Sequence, residues 1–196
     1  MYQYNYEALS MYYITQCFAC MQGSTFWSID DELPPHRSGV YMIDLGSNDT
    51  VTKLVNVTFE GSYRETNSPD FTPHGMGHWV TKDGEMILYI INHRRRGDTV
   101  DSFIYNPQKR SLKYRKSFEN PLLSSLNDLV LIDLDKFYVT IDHYFSGLIG
   151  RIAEEVLRLP LGQVIYVNGG GLETELKVAT DSLKFPNGIA VSNDRR

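Results

Sequence analysis

Residues 120–145 read NPLLSSLNDLVLIDLDKFYVTIDHYF. Two apolar runs, Leu129-Val130-Leu131-Ile132 and Phe137-Tyr138-Val139-Thr140, flank the acidic turn Asp133-Leu134-Asp135-Lys136. Short runs rich in β-branched and aromatic residues, joined by turn residues, predict a β-hairpin. The same grammar recurs outward in both directions. Upstream, Lys82-Asp83-Gly84-Glu85 joins Gly77-His78-Trp79-Val80 to Met86-Ile87-Leu88-Tyr89-Ile90-Ile91. Thr99 to Tyr105 closes on Asn106-Pro107-Gln108-Lys109 and pairs with Leu112 to Phe118. Nearer the N-terminus, Tyr12 to Ala19, Val40 to Leu45 and the alternating stretch Val51 to Phe59 read as strands. Downstream, Val164 to Val167, Leu172 to Ala179 and Ile189 to Val191 complete the series. One segment breaks the pattern. Leu148, Ile149, Ile152, Val156 and Leu159 follow helical spacing, with Arg151, Glu154, Glu155 and Arg158 opposite, and Pro160 ends the run.

Composition narrows the class further. In 196 residues, 19 basic against 24 acidic side chains give a net charge of −5, and no basic block exceeds Arg94-Arg95-Arg96. That excludes a nucleic-acid binder held by phosphate neutralisation. No apolar run reaches the roughly 18 residues that span a bilayer. Met1 to Ser10 lacks a basic segment followed by an apolar one, so no signal peptide is written in this chain. Cys17 and Cys20 fall in a strand-like run, where residues three apart point to opposite faces. The C-x-x-C spacing invites a redox reading, but such a pair does not bridge easily or chelate, and buried strand cysteines are the better reading. Asn48-Asp49-Thr50 and Asn56-Val57-Thr58 are glycosylation acceptor tripeptides.

Many short antiparallel strands mean an all-β sandwich, barrel or propeller. A weak repeat favours the propeller, because polar residues recur just before apolar strand starts. They stand in Pro73-His74-Gly75-Met76, Leu126-Asn127-Asp128-Leu129 and Pro186-Asn187-Gly188-Ile189. The steps are 53 residues from His74 to Asn127 and 60 from Asn127 to Asn187. In a propeller these stations meet at the mouth of the central channel. Converging amides and carboxylates there suit a hard cation such as calcium, which takes about six to eight oxygen ligands. The same dipeptides also serve as plain turns.

With these motifs in order, the chain resembles the paraoxonase/arylesterase family of calcium-dependent six-bladed propellers. The resemblance runs from about Glu7 to the last residue. It rests on Thr72-Pro73-His74-Gly75-Met76, Ile90-Ile91-Asn92-His93, Asn120 to Leu129, Phe137-Tyr138, Asp142-His143-Tyr144-Phe145 and Phe185 to Ile189. It implies calcium-dependent hydrolysis of carboxylic esters or lactones. Asn127, Asn187 and Glu7 match ligands of a catalytic calcium, while Asp128 and the backbone carbonyl of Met76 match ligands of a second, structural calcium. His74 and His93 match a histidine dyad that activates water. A secreted or membrane-associated, glycosylated, disulfide-bearing protein is implied too, with Asn48 and Asn56 as the acceptors. The alternative within the resemblance is a non-catalytic relative that assists assembly of membrane proteins.

Departures from the family pattern set further expectations. Ala8 stands where the family has an acidic ligand, and Ile141 where it has a polar residue. The family's Asp-Asn pair from a later blade has no counterpart in these residues. At about 40–50 residues per blade, residues 1–196 are expected to form one partial propeller domain of about four blades, lacking the C-terminal ones, and alone to leave phenyl acetate intact. The partners implied are a small ester or lactone and a lipid or membrane surface under the Leu148–Leu159 helix, or else that helix caps the channel.

Overall fold

A computed structural model describes residues 16–21, 39–44, 54–61, 63, 71–171 and 173–192. Glu7, Ala8 and Asn48 lie outside these residues. The described chain forms three sheets and one helix, an all-β propeller-like arrangement whose sheets do not close into a ring. The first sheet holds β1 (Gln16–Met21), β2 (Gly39–Asp44) and β3 (Leu54–Asn56). The second runs from β5 (Pro73–Val80) through β6 (Met86–Arg94) and β7 (Gly97–Asn106) to β8 (Ser111–Phe118), with β4 (Thr58–Glu60) on its outer edge. The third runs from β9 (Leu126–Asp133) through β10 (Lys136–Ile141) and β11 (Gly162–Asn168) to β12 (Glu175–Leu183). Helix α1 (Leu148–Leu157) interrupts this last sheet between β10 and β11.

Each hairpin read in the sequence is present. Cys17 and Cys20 lie on β1, in backbone register with Ile43 and Val40. Two segments differ from expectation. The stretch Val51 to Phe59, read as one strand, divides at the buried Val57: β3 pairs with β2, whereas β4 runs parallel to β8 in the next sheet. The chain thereby crosses between sheets, held at the crossing by Val57 N–H on the Val40 carbonyl at 2.9 Å. Ile189 to Val191 is irregular, because the Ile189 N–H goes to the Asp128 carboxylate (3.2 Å) instead of a neighbouring strand.

β6 explains how the sheets stack. Ile87, Tyr89 and Ile91 face the third sheet and join Leu129, Leu131, Phe137 and Val139 in one core. Met86, Leu88 and Ile90 face the first sheet and join Val40, Met42, Phe103 and Leu112 in another. A strand buried on both faces has no use for polar alternation, which is why this segment reads as a continuous apolar run. Each such side chain contributes about 1.5–3 kcal/mol through burial.

A polar knot ties the second and third sheets at the β9–β10 turn. Asp135, buried and in the left-handed region (φ 58°), receives both guanidinium nitrogens of Arg115 at 2.6 and 2.7 Å. The Tyr89 hydroxyl donates to it at 2.8 Å, and Lys116 Nζ lies 3.0 Å away. Burial pushes the Asp135 carboxyl up, but the hydrogen bonds from Arg115, Tyr89 and Lys116 outweigh it and hold the group below its ordinary value. The folded carboxyl being the more acidic, its stabilisation is complete above the ordinary Asp value of about 3.9 and is lost as pH falls through the folded value. Asp135→Asn is expected to cost roughly 1–3 kcal/mol in urea unfolding at pH 7, less than a fully buried pair because Arg115 and Lys116 keep partial access to water. The difference from the unmutated protein should shrink as pH drops below 4; a constant difference would contradict this assignment.

Candidate active site

The innermost strands β5 and β9 of adjacent sheets carry the polar stations singled out in the sequence, and each carries a β-bulge there. On β5, Pro73 pairs with Asn92 and Met76 with Ile90, so His74 and Gly75 together oppose Ile91. On β9, Leu126 pairs with Ile141 and Leu129 with Val139, so Asn127 and Asp128 together oppose Thr140. A bulge bends the strand and re-aims its side chains. The Thr140 hydroxyl fills the gap on β9, accepting the Asp128 N–H at 3.0 Å and donating to the Asn187 carbonyl at 2.8 Å. This draws the 186–189 segment to the bulge, where the Asp128 carboxylate also takes the Ile189 N–H.

Gly75 makes the two bulges touch. A Cβ on it would sit 2.7 Å from Asp128 Cα, and closer still to the Asn127 carbonyl oxygen. Gly77, two residues on, is crowded by side-chain ends, Leu131 Cδ2 at 2.6 Å and Leu129 Cδ1 at 2.9 Å, with the Leu129 carbonyl at an ordinary 3.5 Å. The close approach places His74 beside Asn127, Asp128 and Asp142.

From there a chain of groups runs along one line. His74 Nδ1 lies 3.0 Å from His93 Nε2, and His93 Nδ1 lies 2.8 Å from Asp98 Oδ1. The other Asp98 oxygen accepts the Leu126 N–H at 2.9 Å, at the start of β9. His93 is anchored through its backbone N–H on the Thr72 carbonyl (3.0 Å), while the buried Asn92 side chain binds Thr72 N–H (2.9 Å) and Asp101 (3.1 Å). Burial holds the His74 imidazole below its ordinary pKa, and the neighbouring His93 adds to this; Asp142, Asp128 and Asp98 pull the other way. Burial pushes the Asp128 carboxyl up.

Asn127 is buried, and its amide nitrogen points to Asp142 Oδ2 at 3.4 Å, which turns its own carbonyl oxygen elsewhere. Asp142 Oδ1 is buried without a hydrogen-bond partner; His143 Nδ1 lies 2.9 Å away but out of alignment for one. Asn187 is exposed, and Met76 sits within β5. Among the described residues no three His, Cys, Asp or Glu side chains come together as a metal cluster. The oxygen donors brought together are instead the Asn127 and Asp128 side chains, Asp142 and the Asn187 segment. Asn56 ends β3, with its backbone opposite Tyr41.

Helix α1 buries a carboxylate and leaves its apolar residues outside. Its buried residue is Glu154, whose carboxylate accepts the Tyr144 and Phe145 N–H groups at 3.0 and 2.6 Å. Arg151 reaches inward to the Ser125 hydroxyl at 3.0 Å. Ile149 and Val156 are 85% and 74% exposed.

Of the residues singled out in the sequence, the structure brings His74 and His93 into contact and sets the Asn187 segment against the Asn127–Asp128 bulge. Asp98 was missed because the strand was read from Thr99, one residue late. Its signal was available: His93 and Asp98 are directly paired across the β6–β7 hairpin.

With this geometry in hand, comparison with known proteins is decisive. A family model described as Arylesterase matches residues 16–196, and the chain belongs to that family. It is 31% identical over 163 residues to serum paraoxonase/lactonase 3 of Homo sapiens, covering 83% of this chain and 44% of that one. To serum paraoxonase/arylesterase 1 of Homo sapiens it is 31% identical over 161 residues, 82% of this chain and 43% of the relative. To serum paraoxonase/arylesterase 2 of Bos taurus it is 29% identical over 163 residues, with 83% and 44% covered. The chain thus spans less than half the length of these relatives.

The contact at Gly75 is backbone against backbone, whereas that at Gly77 involves leucine ends that can rotate. Gly75→Ala is therefore expected to lower unfolding free energy by about 1–3 kcal/mol, and Gly77→Ala by clearly less. Denaturant titration of the two variants checks the order; equal or reversed losses would count against the close approach.

Proposed function

We propose that this protein hydrolyses carboxylic esters or lactones in a calcium-dependent reaction at the mouth formed by β5 and β9. The observation that carries this reading is the 3.0 Å contact between His74 and His93 beside the Asn127–Asp128 bulge. His74, whose imidazole is kept below its ordinary pKa chiefly by partial desolvation, takes a proton from the attacking water, and His93 takes one from His74. Asn127, Asn187 and Glu7 would hold the catalytic calcium, and Asp128 with the Met76 carbonyl the structural one. Two features suit a hard cation here: a buried Asp142 oxygen without a hydrogen-bond partner, and an Asp128 carboxyl whose charge is disfavoured by burial. Bound calcium supplies polarisation of the substrate carbonyl and stabilisation of the oxyanion. Family membership supports the reaction class, since the relatives named above are a lactonase and arylesterases.

Calcium should raise the melting temperature of residues 1–196, and Asp128→Asn should remove most of that shift. Where the protein turns over phenyl acetate or an aliphatic lactone, that hydrolysis should stop on chelation and fall about 10²–10⁴-fold in His74→Gln. Turnover that survives both treatments would overturn the mechanism. Calcium binding with no turnover would favour the non-catalytic alternative.

The outward apolar face of α1 supports a lipid surface as a second partner. Leu148, Ile149, Ile152 and Val156 lie exposed on it, while the charged Arg151 and Glu154 are occupied inside. Ile149→Asp should reduce co-sedimentation with phosphatidylcholine vesicles severalfold; unchanged partitioning would remove the helix from consideration.

A further inference from the structure

We propose that Asp98 is a positioning residue that sets the tautomers of both histidines and so directs a lone pair of His74 out of the chain toward substrate. The inference deepens the reading of His74 as the base and rests on it. An ionised carboxylate only accepts, so the His93 nitrogen facing Asp98 Oδ1 at 2.8 Å, Nδ1, must carry the hydrogen. In a neutral imidazole the other nitrogen, Nε2, is then bare. Nε2 of His93 faces His74 Nδ1 at 3.0 Å, and two bare nitrogens cannot bond, so His74 Nδ1 is the donor. His74 Nε2 is left with its lone pair unshared. One carboxylate thus dictates the state of an atom two rings away.

The second Asp98 oxygen secures the arrangement. It accepts the Leu126 N–H at 2.9 Å, so the carboxylate is held at both ends. Asp98 is largely buried, with 13% of its side chain exposed against 25% for His93, so water offers little substitute for either bond. The direct cross-strand pairing of His93 with Asp98 fixes their separation through the β6–β7 ladder. The carboxylate also bridges two sheets, linking the histidines on β5 and β6 to the first residue of β9.

Asparagine at this position separates charge and tautomer from shape. Its single oxygen can satisfy either the Leu126 N–H or His93, not both. Facing the oxygen toward His93 would oppose the amide NH₂ to the Leu126 N–H, two donors in a buried site. The amide therefore turns its oxygen to Leu126 and its NH₂ to His93 Nδ1. That reverses the hydrogen on His93, then on His74, and places a hydrogen on His74 Nε2 where the lone pair was.

The test is nitrogen-15 imidazole spectroscopy at neutral pH on residues 1–196. His74 and His93 should both show the Nδ1–H form, the less common one in water, and both should switch to Nε2–H in Asp98→Asn. Asp98→Ala, which removes the acceptor without supplying a donor, should release both rings toward Nε2–H, and circular dichroism will verify that each variant retains its strands. Nε2–H rings in the unmutated protein, or tautomers unmoved in Asp98→Asn, would overturn the proposal. On an ester or lactone that the protein turns over, Asp98→Asn should lower kcat on the order of 10²–10⁴-fold with KM little changed, as a mis-set tautomer does in a serine protease triad. A tautomer switch without loss of kcat would leave the positioning role intact and overturn His74 as the base.

Discussion

The structure depends on how closely β5 can approach β9. Packed sheets normally stand apart by the thickness of interleaved side chains, but at Gly75 the backbone of one strand meets the backbone of the next. Because both strands bulge at that level, the side chains just before and after the contact turn toward a common point. His74, Asn127 and Asp128 are neighbours for that reason. The hydroxyl of Thr140 then brings in a third segment, the turn containing Asn187, without any strand pairing. A missing side chain organises the residues around it.

The two polar clusters of the structure differ in how their hydrogen bonds are satisfied. Around Asp135, three donors surround one carboxylate in a closed set of bonds, and the result joins two sheets. At the site, three carboxylates crowd a pair of histidines, and one buried carboxylate oxygen lacks a hydrogen bond. Satisfied networks rigidify, whereas unsatisfied ones mark places where a partner is expected.

Much of this was legible in the residues. The hairpins follow from turn chemistry, and the polar stations at the starts of β5 and β9 follow from their recurrence in the same local context. Other features were hidden because they depend on partners remote in sequence. Periodicity showed Val51 to Phe59 as one strand but could not show that its halves serve different sheets. Alternation says nothing of bulges, which need the partner strand's count. The helical pattern of α1 gave its amphipathicity correctly; only the neighbouring loop, whose backbone N–H groups need a carboxylate, reveals that Glu154 points inward. Asp98 lay one residue outside the apolar run used to find its strand, although cross-strand symmetry about the hairpin turn would have recovered it.

β6 has a consequence for how the protein is made. Met86 to Ile91 is a six-residue segment without charge, proline or glycine, and only two neighbouring sheets keep its faces from water. Until the third sheet, which follows it in the chain, has been synthesised, one face of such a stretch lacks its cover and is a template for intermolecular cross-β stacking. The chain brackets it with Lys82, Asp83 and Glu85 on one side and Arg94, Arg95 and Arg96 on the other. Charges at those flanks act as gatekeepers, penalising the in-register stacking of identical copies. Arg94 also serves the folded protein, where its guanidinium holds the buried Asp101 carboxylate at 2.8 Å.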